Sequence, residues 1–334
     1  MLPFLGDNFG NANSLHQWGA AAEHGVEMAR MHIAELIGAE DPSEIVFTSG
    51  ATESNNWVLR LAAEQGWKTY FSMVEHSSVD EPGKHFGFQS LEFDGEGSFL
   101  PVEADLVSCI LINNETGNWF NRRVESGSGR VHRDITQAAG KIQMDVTEWD
   151  FASLSAHKLY GPKGVGALYI RGGAVDPLLY GGAQESGRRS GTLNVPGIVG
   201  FGEAARISKE DLAKNWTHAG SLNDLVQSGL AGVEGMRLNV QAANSPYILS
   251  VSFQGIEGEA LVIDLDRKGF AVSSGAACSS GSNLPSHVLL AMGVDPEFIR
   301  GTIRISFSKF NTWETTQALT REIVESVSRL RRLG

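Results

Sequence analysis

Residues 155–164 read Ser-Ala-His-Lys-Leu-Tyr-Gly-Pro-Lys-Gly, and the interpretation of the whole sequence starts from them. The segments on either side, residues 149–154 and 164–170, have the pattern of buried strands. The Gly-Pro-Lys-Gly turn between them places Lys158 at a strand end, where α/β proteins usually carry their chemistry. A lysine in such a place is most often a solvated loop charge. The serine and histidine before it, and glycines that let a backbone approach a ligand closely, favour a lysine that forms a Schiff base with an aldehyde cofactor.

Polar side chains follow four predicted strands, including the one before Lys158. They are His76 after residues 70–74, Asn114 after residues 106–112, Asp134 with Gln137 after residues 129–132, and Ser155, His157 and Lys158 after residues 149–154. Any one of them could simply be a solubilising strand end. Several together predict a site along one edge of a parallel sheet.

Two further segments have the composition of anion-binding loops. A short strand at residues 44–47 runs into Thr48–Asn56, which is rich in small hydroxyl residues and precedes a helix. Such a helix start presents free backbone N–H groups and a positive dipole end to an anion, although an ordinary helix cap has the same composition. Residues 181–192 are glycine-rich and locally basic, which suggests either a solvated loop or one that reaches an anionic site, even across a subunit boundary.

Composition narrows the class of protein. With 334 residues the chain can form one large and one smaller domain, and 42% of its residues are hydrophobic. The net charge of −12 argues against general binding to nucleic acid or to an anionic membrane. No apolar run is long enough to span a bilayer, and the N-terminal residues do not resemble a signal peptide, so we expect a cytoplasmic protein. Two cysteines are too few for a disulfide framework or a structural zinc site, and no metal is predicted.

The sequence pattern changes after about residue 207, where a second domain is predicted to begin. A surface helix at residues 211–229 and a strand at residues 247–253 precede a loop of small residues around Cys278. This loop predicts an accessible thiol, whereas Cys109 lies in an apolar strand and is expected to be an inert core thiol. Arg304 lies on the polar face of a strand at residues 303–307, and a C-terminal helix begins near residue 312.

The ordered set of motifs resembles the class V aminotransferase family, and most closely the cysteine desulfurases of the NifS/IscS type, over nearly the whole chain. The matching passages are residues 9–11, 48–56, 75–76, 113–115, 134 with 137, 155–164, 187–192, 273–281, 285–289 and 304–307. The resemblance implies an α/β fold, the pyridoxal-phosphate-dependent transferase fold type I. It has a large domain, residues 1–207, with a mostly parallel seven-stranded sheet, and a smaller α+β domain, residues 208–334, that carries the cysteine loop.

The same resemblance implies a role for each site residue. Catalytic roles fall to Lys158 as the Schiff-base lysine, His76 as the stacking and acid–base group, and Cys278 as the sulfur acceptor. The implied binding residues for pyridoxal 5′-phosphate are Ala51, Thr52, His76, Asn114, Asp134, Gln137, Ser155, His157, Lys158 and Thr192. Among them, Asp134 would pair with the pyridine nitrogen and Thr192 would come from the partner subunit of a homodimer. Arg304 and Asn114 would bind the substrate, with the planar guanidinium on its carboxylate. Ser186 stands where the family commonly has an arginine.

The implied activity is conversion of L-cysteine to L-alanine with the sulfur carried as a persulfide on Cys278. A sulfur-acceptor protein is the expected partner, for iron–sulfur cluster assembly or another sulfur pathway. Two alternatives belong to other classes. One is a different reaction of the same cofactor, such as selenocysteine lyase or aminotransferase chemistry. The other is a non-catalytic paralogue that acts as a binding subunit, which would have no need of the full residue set.

Overall fold

A computed structural model describes residues 1–94, 98–120, 126–127, 129–240, 243–274 and 285–333. It divides into two compact units. The first contains Met1–Glu92, Phe99–Leu111 and Arg122–Leu212, and the second contains Phe93–Ser98, Ile112–Asn121 and Ala213–Gly334. The linear division at residue 207 assigned residues 112–121 to the first domain. The structure groups this segment with the second unit, where Ser245 N–H donates to the Gly117 carbonyl at 2.8 Å and Trp119 N–H donates to the Ala243 carbonyl at 3.0 Å.

The described residues form a seven-stranded sheet in the first unit and a four-stranded sheet in the second. The strands are β1 (Ile45–Thr48), β2 (Thr69–Ser72), β3 (Gln89–Leu91), β4 (Leu106–Ile110), β5 (Arg130–Asp134), β6 (Phe151–Ser155), β7 (Gly166–Ile170), β8 (Met236–Leu238), β9 (Ile248–Phe253), β10 (Ser273–Ser274) and β11 (Thr302–Ser306). The larger sheet has the order β1-β7-β6-β5-β4-β2-β3 and the smaller has β10-β11-β9-β8.

Strand direction in the large sheet places the predicted site elements on one edge. Strands β3, β2, β4, β5 and β6 are parallel to one another, and β7 runs antiparallel to both β6 and β1. Strand β1 therefore points the same way as β6. The carboxyl ends of β1, β2, β4, β5 and β6 all lie along the same edge, which confirms the mostly parallel seven-stranded sheet expected from the sequence.

Helices cover the sheet and follow from local sequence signals. They are α1 (Gln17–Ile37), α2 (Ala51–Glu64), α3 (Ser77–His85), α4 (Val195–Glu210), α5 (Leu212–Leu230), α6 (Gly258–Asp266), α7 (His287–Ala291), α8 (Pro296–Arg300) and α9 (Trp313–Arg331). Helix α1 ends at Gly38, whose φ of 74° is the left-handed conformation that glycine adopts without strain. Gly202 lets helices α1 and α4 pack closely, because a Cβ at this position would lie only 2.3 Å from the Ala29 Cα.

Each unit has its own apolar core. In the first unit, Trp57 and Leu61 of α2 pack with Phe71 of β2 and Leu106 of β4 against the large sheet. In the second, the inner faces of the small sheet pack against α5, α6 and α9. The C-terminal helix predicted to begin near residue 312 is confirmed as α9, since Thr312 caps its start, and Ile323 and Val327 are buried. None of the helices in the described part of the chain is both long and apolar enough to span a bilayer.

Candidate active site

Lys158 does not lie directly on a strand end, because a 3-10 turn, Ala156–Leu159, follows β6. This turn is closed by two main-chain hydrogen bonds, from Ala156 N–H to the Val165 carbonyl at 3.1 Å and from Gly161 N–H to the Ala156 carbonyl at 2.9 Å. It ends at Tyr160 with a φ of 68°, an uncommon left-handed conformation for a bulky residue. This short, hydrogen-bonded turn thus holds the exposed Lys158 side chain at the sheet edge.

The start of α2 and the end of β6 are joined at the same edge. Ala51 N–H, in the first turn of α2, donates to Ser155 Oγ at 2.7 Å. Gly50, just before the helix, has a φ of 156°, a conformation that residues with a side chain rarely adopt. Thr52 is exposed in the same helical turn. A helix start with free N–H groups, bordered by two hydroxyls, is suited to bind a phosphate group.

His157 lies beside Lys158 and is exposed. Partial desolvation, followed by the positive charges of Lys158 and Lys163, lowers the pKa of His157. The imidazole is therefore neutral at neutral pH, and an anion arriving at this turn would favour its protonated form.

Asp134 lies at the end of β5 with both carboxylate oxygens hydrogen-bonded. Its Oδ2 accepts from Asn55 Nδ2 at 2.9 Å and its Oδ1 accepts from Thr136 N–H at 2.9 Å. The residue is 3% exposed. Hydrogen bonds donated to a carboxylate stabilise its ionised form, so this group is suited to face a protonated ring nitrogen.

His76 forms the N-cap of α3 and lies next in the same network. Its Nδ1 accepts from Ser78 N–H at 3.1 Å and lies 2.8 Å from Ser78 Oγ. Ser78 Oγ in turn accepts from Asn55 Nδ2 at 2.8 Å. Gln137, on the turn after β5, is buried, and its Oε1 accepts from Lys141 Nζ at 2.6 Å.

Two ion pairs attach the loop of residues 181–192 to helices α2 and α1. Arg189 binds Glu53 in the first turn of α2, with Nε 2.8 Å from Oε1 and Nη2 3.2 Å from Oε2. Burial opposes ionisation of Glu53, but hydrogen bonds from Arg189 and Ser49 lower its pKa overall. Glu185 binds Arg30 of α1 with both carboxylate oxygens, at 2.9 and 2.8 Å, and also accepts from Phe47 N–H of β1.

The second ion pair accompanies local strain, because Ala183, Glu185 and Ser186 all have positive φ angles. Such conformations persist where the surrounding contacts over-determine them. Thr192 is the last residue of this loop; it belongs to the first unit and is exposed.

Arg304 and Asn114, the predicted substrate residues, both lie in the second unit. Arg304 Nη1 donates to the Asn114 carbonyl at 2.9 Å and Nη2 donates to Ser273 Oγ at 3.2 Å. Arg304 Nε and Asn114 Oδ1 are buried without a hydrogen-bond partner among the described residues. Next to them, Glu115 accepts from Ser286 Oγ at 2.6 Å, and burial raises the pKa of Glu115.

Of the two cysteines, the structure describes Cys109 and not Cys278. Cys109 is fully buried in β4, and burial raises the pKa of its thiol to about 11, which confirms an inert core residue. Cys278 lies outside the described residues. Among the residues that are described, no group of three or more His, Cys, Asp and Glu side chains could hold a metal ion.

The first unit thus brings most of the predicted cofactor residues to one sheet edge. They are Ala51, Thr52, His76, Asp134, Gln137, Ser155, His157 and Lys158. Interpretation of the sequence did not single out Asn55, Ser78, Glu185 or Arg30. Asn55 belongs to the motif at residues 48–56, yet only the packing of α2 against β5 shows which of its polar side chains contacts Asp134.

Comparisons with known proteins agree with this arrangement. The family model described as aminotransferase class-V matches residues 1–319. The chain is 37% identical over 363 residues to the cysteine desulfurase IscS of Methanosarcina thermophila, which covers 100% of this chain and 89% of that protein. It is 40% identical over 369 residues to the cysteine desulfurase IscS of Anaeromyxobacter sp. strain Fw109-5, with 100% and 89% covered.

Solved structures give the same result. The structure of a NifS-like protein superposes with a TM-score of 0.88 at 38% identity, and covers 98% of this chain and 94% of that one. The family match spans nearly the whole chain, and the fold and the sheet-edge geometry agree with it. The chain belongs to the class-V aminotransferase family.

Proposed function

We propose that this protein is a cysteine desulfurase that uses pyridoxal 5′-phosphate to convert L-cysteine to L-alanine and transfers the sulfur to Cys278. One observation carries the proposal: the Lys158 turn, the Ser155–Ala51 helix start and the buried Asp134 carboxylate all lie at one edge of the large sheet. Full-length similarity to proteins named cysteine desulfurase supports the choice of reaction within the family.

The residues present fit the cofactor. Its phosphate needs donors, which the start of α2, Ser155 and Thr52 supply. Its pyridine nitrogen needs a carboxylate, which Asp134 supplies, and its aldehyde needs a lysine, which Lys158 supplies. His76, Gln137, His157, Asn114 and Thr192 would complete the proposed binding set. When bound, the cofactor acts as an electron sink that weakens bonds to the substrate Cα and prepares the sulfur for transfer.

Lys158 is the proposed proton carrier. It lies on the turn after β6, and its amine would take the Cα proton of a bound substrate. His76 has its Nδ1 engaged as an acceptor by Ser78 N–H, so the neutral ring carries its proton on Nε2. That Nε2–H is the group His76 would offer as a hydrogen-bond donor to a bound cofactor or substrate.

Arg304 is the proposed binding group for the substrate carboxylate. Two of its nitrogens already hold Asn114 and Ser273, which fixes the plane of the guanidinium, while its buried Nε has no partner within the described residues. A substrate carboxylate would supply the missing acceptor through a charge-assisted hydrogen bond.

The sulfur transfer balances without an external oxidant. The Cys278 thiolate attacks the sulfur of the substrate, the substrate C–S bond breaks, and the S–S bond of a persulfide forms. Protons return to the carbon skeleton, so one L-cysteine and one thiol give one L-alanine and one persulfide. A reductant or an acceptor protein then removes the sulfur. A homodimer in which Thr192 serves the partner's phosphate site, an acceptor protein and a cytoplasmic location belong to this proposal.

The experiment measures L-alanine and sulfide released from L-cysteine by the purified, cofactor-loaded protein with dithiothreitol present. We expect the two products in equal amounts, and none from L-serine, which has no sulfur. Release of pyruvate or of an amino group to a 2-oxo acid would assign another reaction of the family. A coloured protein that binds L-cysteine and releases neither product would overturn the proposal in favour of a non-catalytic role.

A further inference from the structure

We propose that Asn55 and Ser78 are positioning residues that fix the Asp134 carboxylate and the His76 ring as one hydrogen-bonded unit. The inference rests on the proposed function, which gives Asp134 and His76 their roles toward the cofactor. Neither Asn55 nor Ser78 is required by those roles themselves. Their importance follows from the contacts that join the two groups.

A single amide nitrogen makes the connection. Asn55 Nδ2 donates to Asp134 Oδ2 at 2.9 Å and to Ser78 Oγ at 2.8 Å, so both of its hydrogens are used. The orientation of the amide is determined by its partner, because an ionised carboxylate can only accept and must face the NH₂ group. With both hydrogens engaged, the planar amide cannot rotate without breaking one of the two bonds.

The chain of hydrogen bonds continues from Ser78 to His76. Because Ser78 Oγ accepts from Asn55, its own hydrogen is available to donate to His76 Nδ1, 2.8 Å away. The same Nδ1 also accepts from Ser78 N–H at 3.1 Å. Two donors at one ring nitrogen exclude a proton there, so the chain from Asn55 adds to Ser78 N–H in holding the tautomer with hydrogen on Nε2.

Burial makes these bonds matter. Asn55 is 0% exposed and Asp134 is 3% exposed, so water does not replace a lost partner at this carboxylate. Charged and titratable groups close to Asp134 include Glu75, His132 and Arg133, and His76 is joined to it through Ser78 and Asn55. Burial, with the negative charge of Asp134 adding to it, raises the pKa of Glu75 to about 8, and burial holds His132 neutral. Asn55 is the side-chain donor to this buried carboxylate.

The position of Asn55 on α2 links this unit to the phosphate end. Ala51, which bonds Ser155, and Asn55, which bonds Asp134, are separated by one helical turn on the same face. Their rise along the axis is about 6 Å. One rigid helix thus sets the spacing between the proposed phosphate donors and the proposed ring-nitrogen carboxylate.

The test uses the cofactor-loaded protein and two measurements apart from turnover: the dissociation constant for pyridoxal 5′-phosphate, and the pH midpoint at which the visible band changes. Asn55→Leu keeps the size of the side chain and removes the amide. A weaker hold on Asp134 leaves less positive charge on the ring, so protonation of the Lys158-linked chromophore becomes easier and the midpoint rises. We expect a rise of about one pH unit, the scale of one hydrogen bond to a charged group.

Matched variants separate positioning from packing. Ser78→Ala should move the midpoint in the same direction by a smaller amount, and Ser78→Thr, which keeps the hydroxyl, should restore it. The double variant should shift it by less than the sum, because both changes interrupt one chain. Thr69→Val removes a buried hydroxyl bond to the Trp67 carbonyl at the opposite end of β2 and should leave both measurements unchanged.

The outcomes distinguish this inference from the proposed function. If the wild-type protein forms no visible band that depends on Lys158, the proposed function fails. If it forms the band, but Asn55→Leu and Ser78→Ala both match Thr69→Val in midpoint and dissociation constant, the positioning role is overturned. Should Asn55→Leu fail to fold, the Ser78→Ala and Ser78→Thr pair decides the question alone.

Discussion

Two histidines near the large sheet show how position separates structure from chemistry. His132 lies in the middle of β5, with Nδ1 2.8 Å from Ser108 Oγ and Nε2 2.9 Å from Ser153 Oγ. His76 lies beyond the end of β2, and its Nδ1 lies 2.8 Å from the Ser78 hydroxyl. Both rings make ordered hydrogen bonds. His132 is fully enclosed and has both nitrogens committed to neighbouring strands, whereas His76 caps a helix at the edge where Asp134 and the Lys158 turn also lie.

The two cysteines differ in the same way as far as the sequence shows. Cys109 is enclosed by the sheet, while Cys278 belongs to a loop of small residues. Identical residue types are inert inside the sheet and are proposed as reactive outside it, because enclosure removes access and disfavours the charged form. The predictions below test this contrast between the sheet interior and the functional positions.

Removal of the edge lysine should have the largest effect. Lys158→Ala removes the amine that is proposed to bond the cofactor aldehyde. The visible absorbance band of the lysine-bound cofactor should therefore disappear, and L-alanine formation should stop. Absorbance spectra of the reconstituted protein measure this. Lys163→Ala, five residues further along the same connection, is the matched control and should retain the band. A band that survives in Lys158→Ala would show that the assignment is wrong.

The cysteine pair should separate activity from stability. Cys278→Ser should bind the cofactor normally and form no persulfide, measured by mass spectrometry after L-cysteine is added. Cys109→Ser should form the persulfide and lose about 1–3 kcal/mol of unfolding free energy, because it buries a hydroxyl in an apolar strand. Wild-type sulfide release by Cys278→Ser would contradict the acceptor role. An unchanged stability in Cys109→Ser would contradict its assignment to the core.

Arg304 should affect substrate more than cofactor. Arg304→Lys keeps the charge but loses the planar fork that holds Asn114 and Ser273, so KM for L-cysteine should rise about 10- to 100-fold. The cofactor dissociation constant should stay within a factor of about three. Steady-state kinetics and a cofactor titration provide the two values. Equal KM values in the variant and the wild type would remove the carboxylate-binding role.

His132 should affect only stability, and only in acid. Burial lowers its pKa to about 4, opposed by Asp134 and assisted by Arg133, while the unfolded chain has the ordinary value near 6.5. Between these values the unfolded state binds more protons, so the stability of the fold falls as pH decreases from about 6.5 to about 4.

His132→Gln should flatten that part of the pH dependence, by up to a few kcal/mol across the window. Chemical denaturation of both proteins at several pH values checks it, and the difference between them cancels the other acid-titrating groups. Parallel curves for the variant and the wild type would show that His132 does not titrate on unfolding.

Local signals in the sequence were sufficient for the elements and for the location of the site. Strand patterns in the sequence predicted β2, β4, β5 and β6, and the C-terminal helix was predicted to begin near residue 312, where α9 starts. The polar residues after those strands predicted one functional edge, because parallel strands bring their carboxyl ends together. The exact form of the Lys158 connection was not predicted, since a single 3-10 turn has no distinctive composition.

Long-range partners could not be predicted in this way. The buried Arg30–Glu185 pair joins residues 155 positions apart, and Asn55 and Asp134 are 79 positions apart. The assignment of residues 112–121 to the second unit likewise depends on main-chain bonds to residues 243–245. No periodicity or spacing along the chain encodes such pairs.

The sequence by itself determined the α/β class, the main strands and helices, and the residue types available for chemistry, because propensity, periodicity and turn signals act over a few neighbouring positions. Only the tertiary structure decided which polar side chain would serve which other. It selected Asn55 as the donor to Asp134, and it enclosed His132 while it left His76 at the sheet edge. The physical reason is that hydrogen bonds and burial depend on distances in space, which the packing of helices on the sheet sets.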